Sequence, residues 1–376
     1  MRVLHICSYY IGNKLYNNLV KSLSFKNINQ IIYIPIREKV QFGKNQLPST
    51  FETVKYEYSN ILKKSDRYFF IRKISKQKKD IECNILSEVL PDVIHAHTVF
   101  SDGGTAYLLY KKYKVKYTVN IRNTDINYFY KYAIHLRPLM YKILLNAESI
   151  VFISYAYQRK MFSLLPSQVV SKIKNKCLVI PNGISDYWHN NLAKRKSIKE
   201  STDLTLLFIG TLNKNKNIKT VVYSCHELIK RGYNIKLNII GNGPMEQEVK
   251  NLCEKLNIYR DTVFHGYIND KSYISSIMDK SDIFIMPSIK ETFGLTYIEA
   301  MSRGLPVLYS SGQGIDGFFE EGKIGYSVDP YNINSIVDSI HKIVNEYDTM
   351  SVNCIELSKQ FNWKSISEDY IKLYQR

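Results

Sequence analysis

The stretch IFIMPSIKETFGLTYIEAMSRGLP, residues 283–306, places a short apolar run, a glycine break and a helix start in succession. Ile283 to Met286 is apolar enough for a buried strand, Gly294 breaks the backbone, and Thr296 to Ser302 carries the spacing of a helix. A strand, a glycine turn and a helix N-terminus together make an anion site. The first-turn N–H groups lack intrahelical partners, and the positive end of the macrodipole adds to them. A diphosphate is therefore expected at Gly294, Leu295 and Thr296. Glu291 stands before the turn, and Glu299 is placed within the first helical turn. Two carboxylates flanking a phosphate site can accept hydrogen bonds from sugar hydroxyls, and charge strengthens such bonds. Thr296-x-x-Glu299 also has the form of a capping box, in which the glutamate serves only the helix.

Working outward, apolar strand-like runs alternate with helical patterns along the chain. The runs Val3–Cys7, Ile31–Ile36, Val93–His95, Tyr117–Ile121, Ile150–Ile153 and Leu178–Ile180 are followed by Leu204–Ile209, Ile235–Ile240 and Thr262–His265. Such alternation predicts parallel sheets covered by helices, an α/β fold. The polar stretch His189–Asp203, after Pro181-Asn182-Gly183, carries little that could pack and is read as the linker. Two doubly wound domains follow, over 1–188 and 200–355, with a closing helical segment 356–376 that contains Phe361-Asn362-Trp363-Lys364 and is expected to return to the first domain. At 376 residues the chain is long enough for two cores.

Charge is divided unevenly. Residues 1–180 hold 29 Lys and Arg against 11 Asp and Glu, whereas the remainder holds 23 of each. A basic excess confined to one half points to an anionic partner. The Tyr68-Phe69-Phe70-Ile71 patch within the basic cluster favours an anionic membrane surface over nucleic acid, since aromatic and cationic residues act together there. No apolar run approaches the ~20 residues needed to cross a bilayer. Met1–Cys7 reads as a first strand rather than a signal peptide, so a cytoplasmic protein on the inner membrane face is expected. The six scattered cysteines form no C-x-x-C pair and read as free buried thiols.

The segment from Glu291 to Glu299, continued by EAMSRGLPVL, resembles the Glu-x7-Glu signature of retaining glycosyltransferases with the GT-B architecture, family 4. The resemblance covers nearly the whole chain and is strongest over 204–330. It implies two Rossmann-like domains facing across a cleft, with a nucleotide-sugar donor, UDP by family frequency, held on the second. Glu291 is then assigned to the transferred sugar and Glu299 to a ribose, with Phe293, Gly294, Leu295 and Thr296 between them. Gly210-Thr211-Leu212-Asn213-Lys214-Asn215-Lys216 resembles the family's loop over the diphosphate, and Lys216 falls where its phosphate lysine falls. Thr211 stands where many relatives carry arginine, for which Lys214 is a substitute. Gly241 marks a tight turn, and Tyr267 and Ile268 fall beside the base.

In the first domain, Asp92-Val93-Ile94-His95-Ala96-His97 is similar to the family's strand ending in an active-site histidine, which makes His97 a sugar contact. Gly12 resembles the family's glycine-rich loop, here shortened. Asn120–Asp125 matches a loop that often reads His-Gly-x-Asp, and places Arg122 and Asp125 on the acceptor side. No Asp-x-Asp pair follows a strand, so catalysis is expected to need neither metal nor other cofactor, with Lys216 and helix dipoles neutralising the leaving group. The resulting expectation is transfer of a hexosyl or N-acetylhexosaminyl group to a saccharide or polyprenyl-linked acceptor in envelope polysaccharide assembly, with the basic domain docked on the membrane. Four rivals are a non-catalytic relative that stabilises a partner glycosyltransferase, a protein glycosyltransferase, a nucleic-acid binder and a sugar-nucleotide epimerase of similar fold, the last disfavoured by the form of the 291–299 segment.

Overall fold

The computed structural model describes residues 1–67, 69–194, 196–198 and 202–376. The chain divides into two compact units. The first contains 1–153, 158–182 and 363–376; the second contains 154–157 and 183–362.

In the first unit the apolar runs form a parallel sheet of seven strands among the described residues. They are β1 (Arg2–Ile6), β2 (Asn29–Pro35), β3 (Val54–Ser59), β4 (Val93–Ala96), β5 (Tyr117–Ile121), β6 (Ser149–Phe152) and β7 (Cys177–Val179). Their spatial order is β3-β2-β1-β4-β5-β6-β7. Val3, Leu4 and Ile6 have no solvent exposure, as expected for a strand covered by helices on both faces. Pairing aligns His5 with His95 across β1 and β4. The order reverses between these two strands, and open α/β sheets bind ligands beyond the strand ends at such a reversal.

The second unit repeats the logic with β8 (Asp203–Ile209), β9 (Asn234–Ile240), β10 (Thr262–Gly266), β11 (Ile283–Ile285), β12 (Val307–Ser310) and β13 (Gly325–Val328). The order is β10-β9-β8-β11-β12-β13, so here the reversal falls between β8 and β11. The loops leaving those strands are Gly210–Asn217 and Met286–Gly294.

The helix Trp363–Tyr374 belongs to the first unit. Trp363, Ile366, Tyr370 and Leu373 recur at helical spacing and pack with Val3, Leu19, Leu23 and Val93. The Ser22 hydroxyl donates to the Trp363 carbonyl at 2.8 Å.

The division between the units falls at Asn182 and Gly183, not within His189–Asp203. Polarity misled because that stretch is anchored to the second unit at few points. Trp188, on the short helix Asp186–Asn190, is 1% exposed. Ala193 N–H donates to the Ser302 carbonyl, and the Lys196 ammonium donates to the Met278 and Ser281 carbonyls. Likewise the helix Tyr347–Ser358 stays with the second unit, so the closing segment starts at Trp363 rather than at 356. No cysteine is disulfide-bonded, and Cys83 is exposed rather than buried. Among the described residues no helix is long and apolar enough to cross a membrane.

Candidate active site

At the reversal of the second sheet, the loops after β8 and β11 are cross-braced. Asn213 and Asn215 do most of this work. The Asn213 side chain accepts from Lys216 N–H at 2.9 Å, which sets the turn Lys214–Lys216. The Asn215 side chain donates to the Lys290 carbonyl and accepts from Lys290 N–H, while its carbonyl accepts from Ile289 N–H. The turn ends in left-handed Asn217, whose amide donates to the Pro287 and Pro330 carbonyls.

This bracing brings Lys216 Nζ to 2.5 Å from Glu291 Oε2. The two side chains are 22% and 13% exposed. Glu291 Oε1 also accepts from Thr292 N–H. An ammonium and a carboxylate thus meet at the strand ends where the sequence places phosphate and sugar.

The turn beyond them is forced by glycine. Gly294 has φ +82°, and a Cβ there would collide with the Tyr297 ring. The helix runs Leu295–Ser302 with Gly294 as its N-cap, one residue earlier than the sequence suggests. Leu295 and Thr296 therefore occupy the positions whose N–H groups precede the intrahelical ladder. Glu299 falls in the second turn, not the first, and forms no capping box. Its carboxylate accepts from Trp188 Nε1 at 2.9 Å. Burial raises the Glu299 carboxyl above its ordinary range, and the indole bond and the Lys271 charge partly oppose this. Phe293 is 2% exposed and packs against Phe318 and Phe361, so only its backbone is available to a ligand.

The neighbouring turns are zipped together. Gly241, at φ +129°, passes so close to the Gly210 carbonyl that any Cβ would overlap it. Leu212 N–H donates to the Asn242 carbonyl and Gly241 N–H to the Gly266 carbonyl. Gly241 is thus a close-approach residue that fixes the β8 loop. Thr211, Lys214 and Tyr267 are exposed, and Ile268 is half-buried. The sequence reading missed Gln313 and Gly314. The Gln313 side chain accepts from Glu291 N–H, and Gly314 N–H donates to the Glu291 carbonyl. A Cβ on Gly314 would lie 3.0 Å from Glu291 Cγ. The signal was the pair of glycines in Gly312-Gln313-Gly314 directly after a strand.

In the first unit, β4 delivers His97 to the reversal of the sheet, but buried at 1% exposure. Its Nε2 meets His5 Nδ1 at 3.0 Å, Tyr16 packs edge-on against the ring, and Nδ1 has no partner among the described residues. Burial holds His5, His95 and His97 far below the ordinary imidazole range, His5 at about 3, so the cluster is neutral. Nitrogen atoms of these three rings lie close enough together to suggest a metal site. The ring geometry does not fit one. His95 uses Nδ1 with the Tyr374 hydroxyl at 2.6 Å and Nε2 with Asn120 at 3.0 Å. His95 and His97 stack at 4.0 Å, which aligns their in-plane lone pairs side by side instead of converging them.

Arg122 sits beside this cluster, its Nε donating to the His97 carbonyl and its guanidinium over Tyr16. Asp125 faces inward, contrary to an acceptor role. Its carboxylate accepts from Arg122, Val99 and Phe100 N–H groups and braces the turn after β4. Burial raises its carboxyl to about 7. Asp102, which the sequence did not single out, is equally buried, its carboxyl raised to about 6 by that burial; it accepts from Ser8, and its Oδ2 has no partner among the described residues. Gly12 borders open space, where a Cβ would touch nothing. Tyr68 of the aromatic patch lies outside the described residues.

Two parallel, doubly wound sheets, each with its order reversed at one point, are the architecture of the GT-B class of glycosyltransferase folds. Residues 190–361 match the model of the family described as glycosyl transferases group 1. The chain is 27% identical to an uncharacterized glycosyltransferase of Methanocaldococcus jannaschii, MJ1607, over 54% of each protein, so the match spans about half the length of that relative. It is 25% identical to the alpha-monoglucosyldiacylglycerol synthase of Streptococcus pneumoniae, over 81% of this chain and 71% of that protein. Among solved structures, the lipopolysaccharide outer core galactosyltransferase WaaB superposes with a TM-score of 0.74 at 16% identity, covering 99% of both chains. Anabaena Alr3699/HepE in complex with UDP superposes with a TM-score of 0.72 at 13% identity over all of both chains.

Proposed function

We propose that this protein is a retaining glycosyltransferase that moves a sugar from a nucleotide diphosphate donor, UDP-linked by preference, to a saccharide or lipid-linked acceptor of the cell envelope. The observation that carries the reading is the Lys216–Glu291 pair beside the N-terminus of the helix Leu295–Ser302. Lys216 and the first-turn N–H groups take the diphosphate, and Glu291 accepts from hydroxyls of the transferred sugar. Glu299, held by Trp188, accepts from the ribose. Tyr267 and Ile268 flank the base, with Thr211 and Lys214 at the mouth of the phosphate loop.

The chemistry follows from charge. As the glycosidic bond breaks, negative charge builds on the leaving phosphate. Fixed donors aimed at that position lower the barrier more than any other single factor. In front-face transfer the leaving oxygen takes the acceptor's proton, so Glu291 has no nucleophilic role. His97, neutral and buried, supports the sugar side, and Arg122 stands on the acceptor side. With Lys216 and the helix dipole supplying positive charge, transfer proceeds without a divalent metal or other cofactor, and chelation by EDTA leaves it unchanged.

The basic first unit docks on an anionic membrane. The name of the Streptococcus pneumoniae relative, a diacylglycerol glycolipid synthase, supports a lipid-bound acceptor. The deciding experiment measures thermal stabilisation by uridine, guanosine and adenosine diphosphate sugars. One donor should raise the melting temperature of the wild type and fail to raise that of Lys216→Ala. If no donor shifts either protein, the reading fails and a non-catalytic relative becomes the better description.

A further inference from the structure

The first unit contains a second concave site, outside the His97 cluster. A cavity of about 580 Å³ opens beyond the ends of β1 and β2. Its cationic lining residues are Arg37, Lys63 and Lys73. The acid that shares the lining, Asp66, is already engaged, because its carboxylate accepts two bonds from the Lys76 ammonium and one from Lys63 N–H. Lys73 is largely buried, and its ammonium donates to the Ser101 hydroxyl at 2.6 Å, a neutral acceptor. Burial pulls Lys73 below the ordinary ammonium range, with the Asp102 and Asp66 charges opposing this and the Arg37 charge adding to it. No ion pair to the Arg37 or Lys63 side chains forms among the described residues. Of these three cations only Lys73 has carboxylates close enough to act on it, Asp102 and Asp66, and Arg37 and Lys63 are left without an ion pair among the described residues, which calls for an anion.

The opposite wall is apolar and leads outward. Phe70 meets Phe129 at 6.2 Å, Phe129 meets Tyr128 at 5.5 Å, and Tyr128 meets Tyr132 at 5.8 Å. Phe70, Tyr128 and Phe129 line the cavity, while Tyr128 and Tyr132 are more than 60% exposed. An unbroken aromatic track therefore runs from the charged void to solvent. A soluble anion has no use for such a track, but a phosphate ester with an apolar chain does.

We propose that the acceptor is an amphiphilic phosphate ester, its phosphoryl group held by Arg37, Lys63 and Lys73 and its apolar chain laid along Phe70, Phe129 and Tyr128. This assignment rests on reading the first unit as the acceptor-binding unit. The test is calorimetric titration of the full chain, without nucleotide sugar, using n-octyl phosphate below its micelle concentration. Inorganic phosphate and octyl glucoside are the comparison probes.

Octyl phosphate should bind saturably at one site and tighter than either comparison probe. Each charge-assisted contact is worth roughly tenfold in affinity, so Arg37→Ala and Lys63→Ala should each weaken binding about tenfold. Phe129→Ala should weaken octyl phosphate and leave inorganic phosphate unchanged. Arg37 and Lys63 are exposed, so these variants are expected to fold. The proposal is overturned if octyl phosphate fails to saturate or if inorganic phosphate binds as tightly. It is also overturned if affinity falls in Lys216→Ala and not in Arg37→Ala, since the anion is then in the donor site. That last result leaves the glycosyltransferase reading standing, and loss of donor stabilisation alone leaves this site standing.

Discussion

Glu291→Gln should tighten the binding of free UDP while slowing sugar transfer. In the unliganded protein the Lys216 ammonium is spent on Glu291 at 2.5 Å, with both side chains mostly shielded from solvent. An incoming diphosphate has to compete with that carboxylate. Fully buried pairs cost about 3–5 kcal/mol to break and exposed pairs about 0–1, so a pair whose side chains are 22% and 13% exposed lies between, near 1–2 kcal/mol. Glutamine keeps the shape and removes the charge. Relief of competition by about 1 kcal/mol corresponds to roughly fivefold tighter UDP. Transfer should fall at least tenfold, because the charge-assisted bond to the sugar is lost. Lys216→Ala should weaken UDP and transfer together. Calorimetric titration of UDP against the three proteins, beside a transfer assay, separates these effects. The reasoning is refuted if Glu291→Gln weakens UDP as much as Lys216→Ala does, for Glu291 would then anchor the lysine rather than compete for it.

Other predictions concern the supports of the site. Gly314→Ala places a methyl group 3.0 Å from Glu291 Cγ and 2.9 Å from the Phe293 carbonyl. It should cut transfer at least tenfold with only about 1 kcal/mol lost in a urea melt, near the usual cost of a left-handed alanine. Glu299→Ala leaves the Trp188 indole N–H without its acceptor, which costs about 1–3 kcal/mol of stability, and should abolish stabilisation by the donor. Trp188→Phe should weaken donor binding with no ligand contact removed, read by the same melt.

The pH dependence follows from the buried groups of the first unit. His5 has a folded value depressed to about 3 against about 6.5 unfolded, so its contribution is intact above pH 6.5 and is lost as pH falls. Asp102 is raised to about 6 against about 3.8 unfolded, so the folded state holds the extra proton between those values and gains stability as pH falls. The two oppose each other between pH 6 and 4. Asp102→Asn removes the compensation, and the slope of unfolding free energy against pH should steepen by about 1.4 kcal/mol per pH unit in urea melts. An unchanged slope would mean that Asp102 is ionised in the folded protein.

Local chemistry made part of this site legible. Gly294 demands a turn whatever surrounds it, and the apolar runs flanking it fix strand and helix, so Glu291 and the helix start were legible locally, whereas Lys216 was placed by the resemblance of its loop to the family's. Long-range pairings left no such trace. Trp188 and Glu299 are 111 residues apart. The local Thr296-x-x-Glu299 pattern pointed to a different partner for that carboxylate. The stretch after Asn190 looked like a linker because its anchoring bonds go from Lys196 to carbonyl groups, which composition does not distinguish from a solvated lysine. Asp125 was placed on the acceptor side because an aspartate capping a turn and one meeting a ligand have the same local sequence.

The helix Trp363–Tyr374 sets an order on biosynthesis. The hydroxyl of Tyr374 completes His95, and that of Tyr370 completes Asn120, so the buried polar centre of the first unit lacks its partners until those residues leave the ribosome. Roughly 180 residues separate Asn182 from Trp363, and at translation rates of about 5–20 residues per second the first unit waits on the order of 10–40 s, exposing Leu19, Leu23 and Val93. The second unit, emerging in that interval, holds all its strands in one continuous stretch and can close first. The nascent chain can therefore mature from its middle, with the amino-terminal unit completed last.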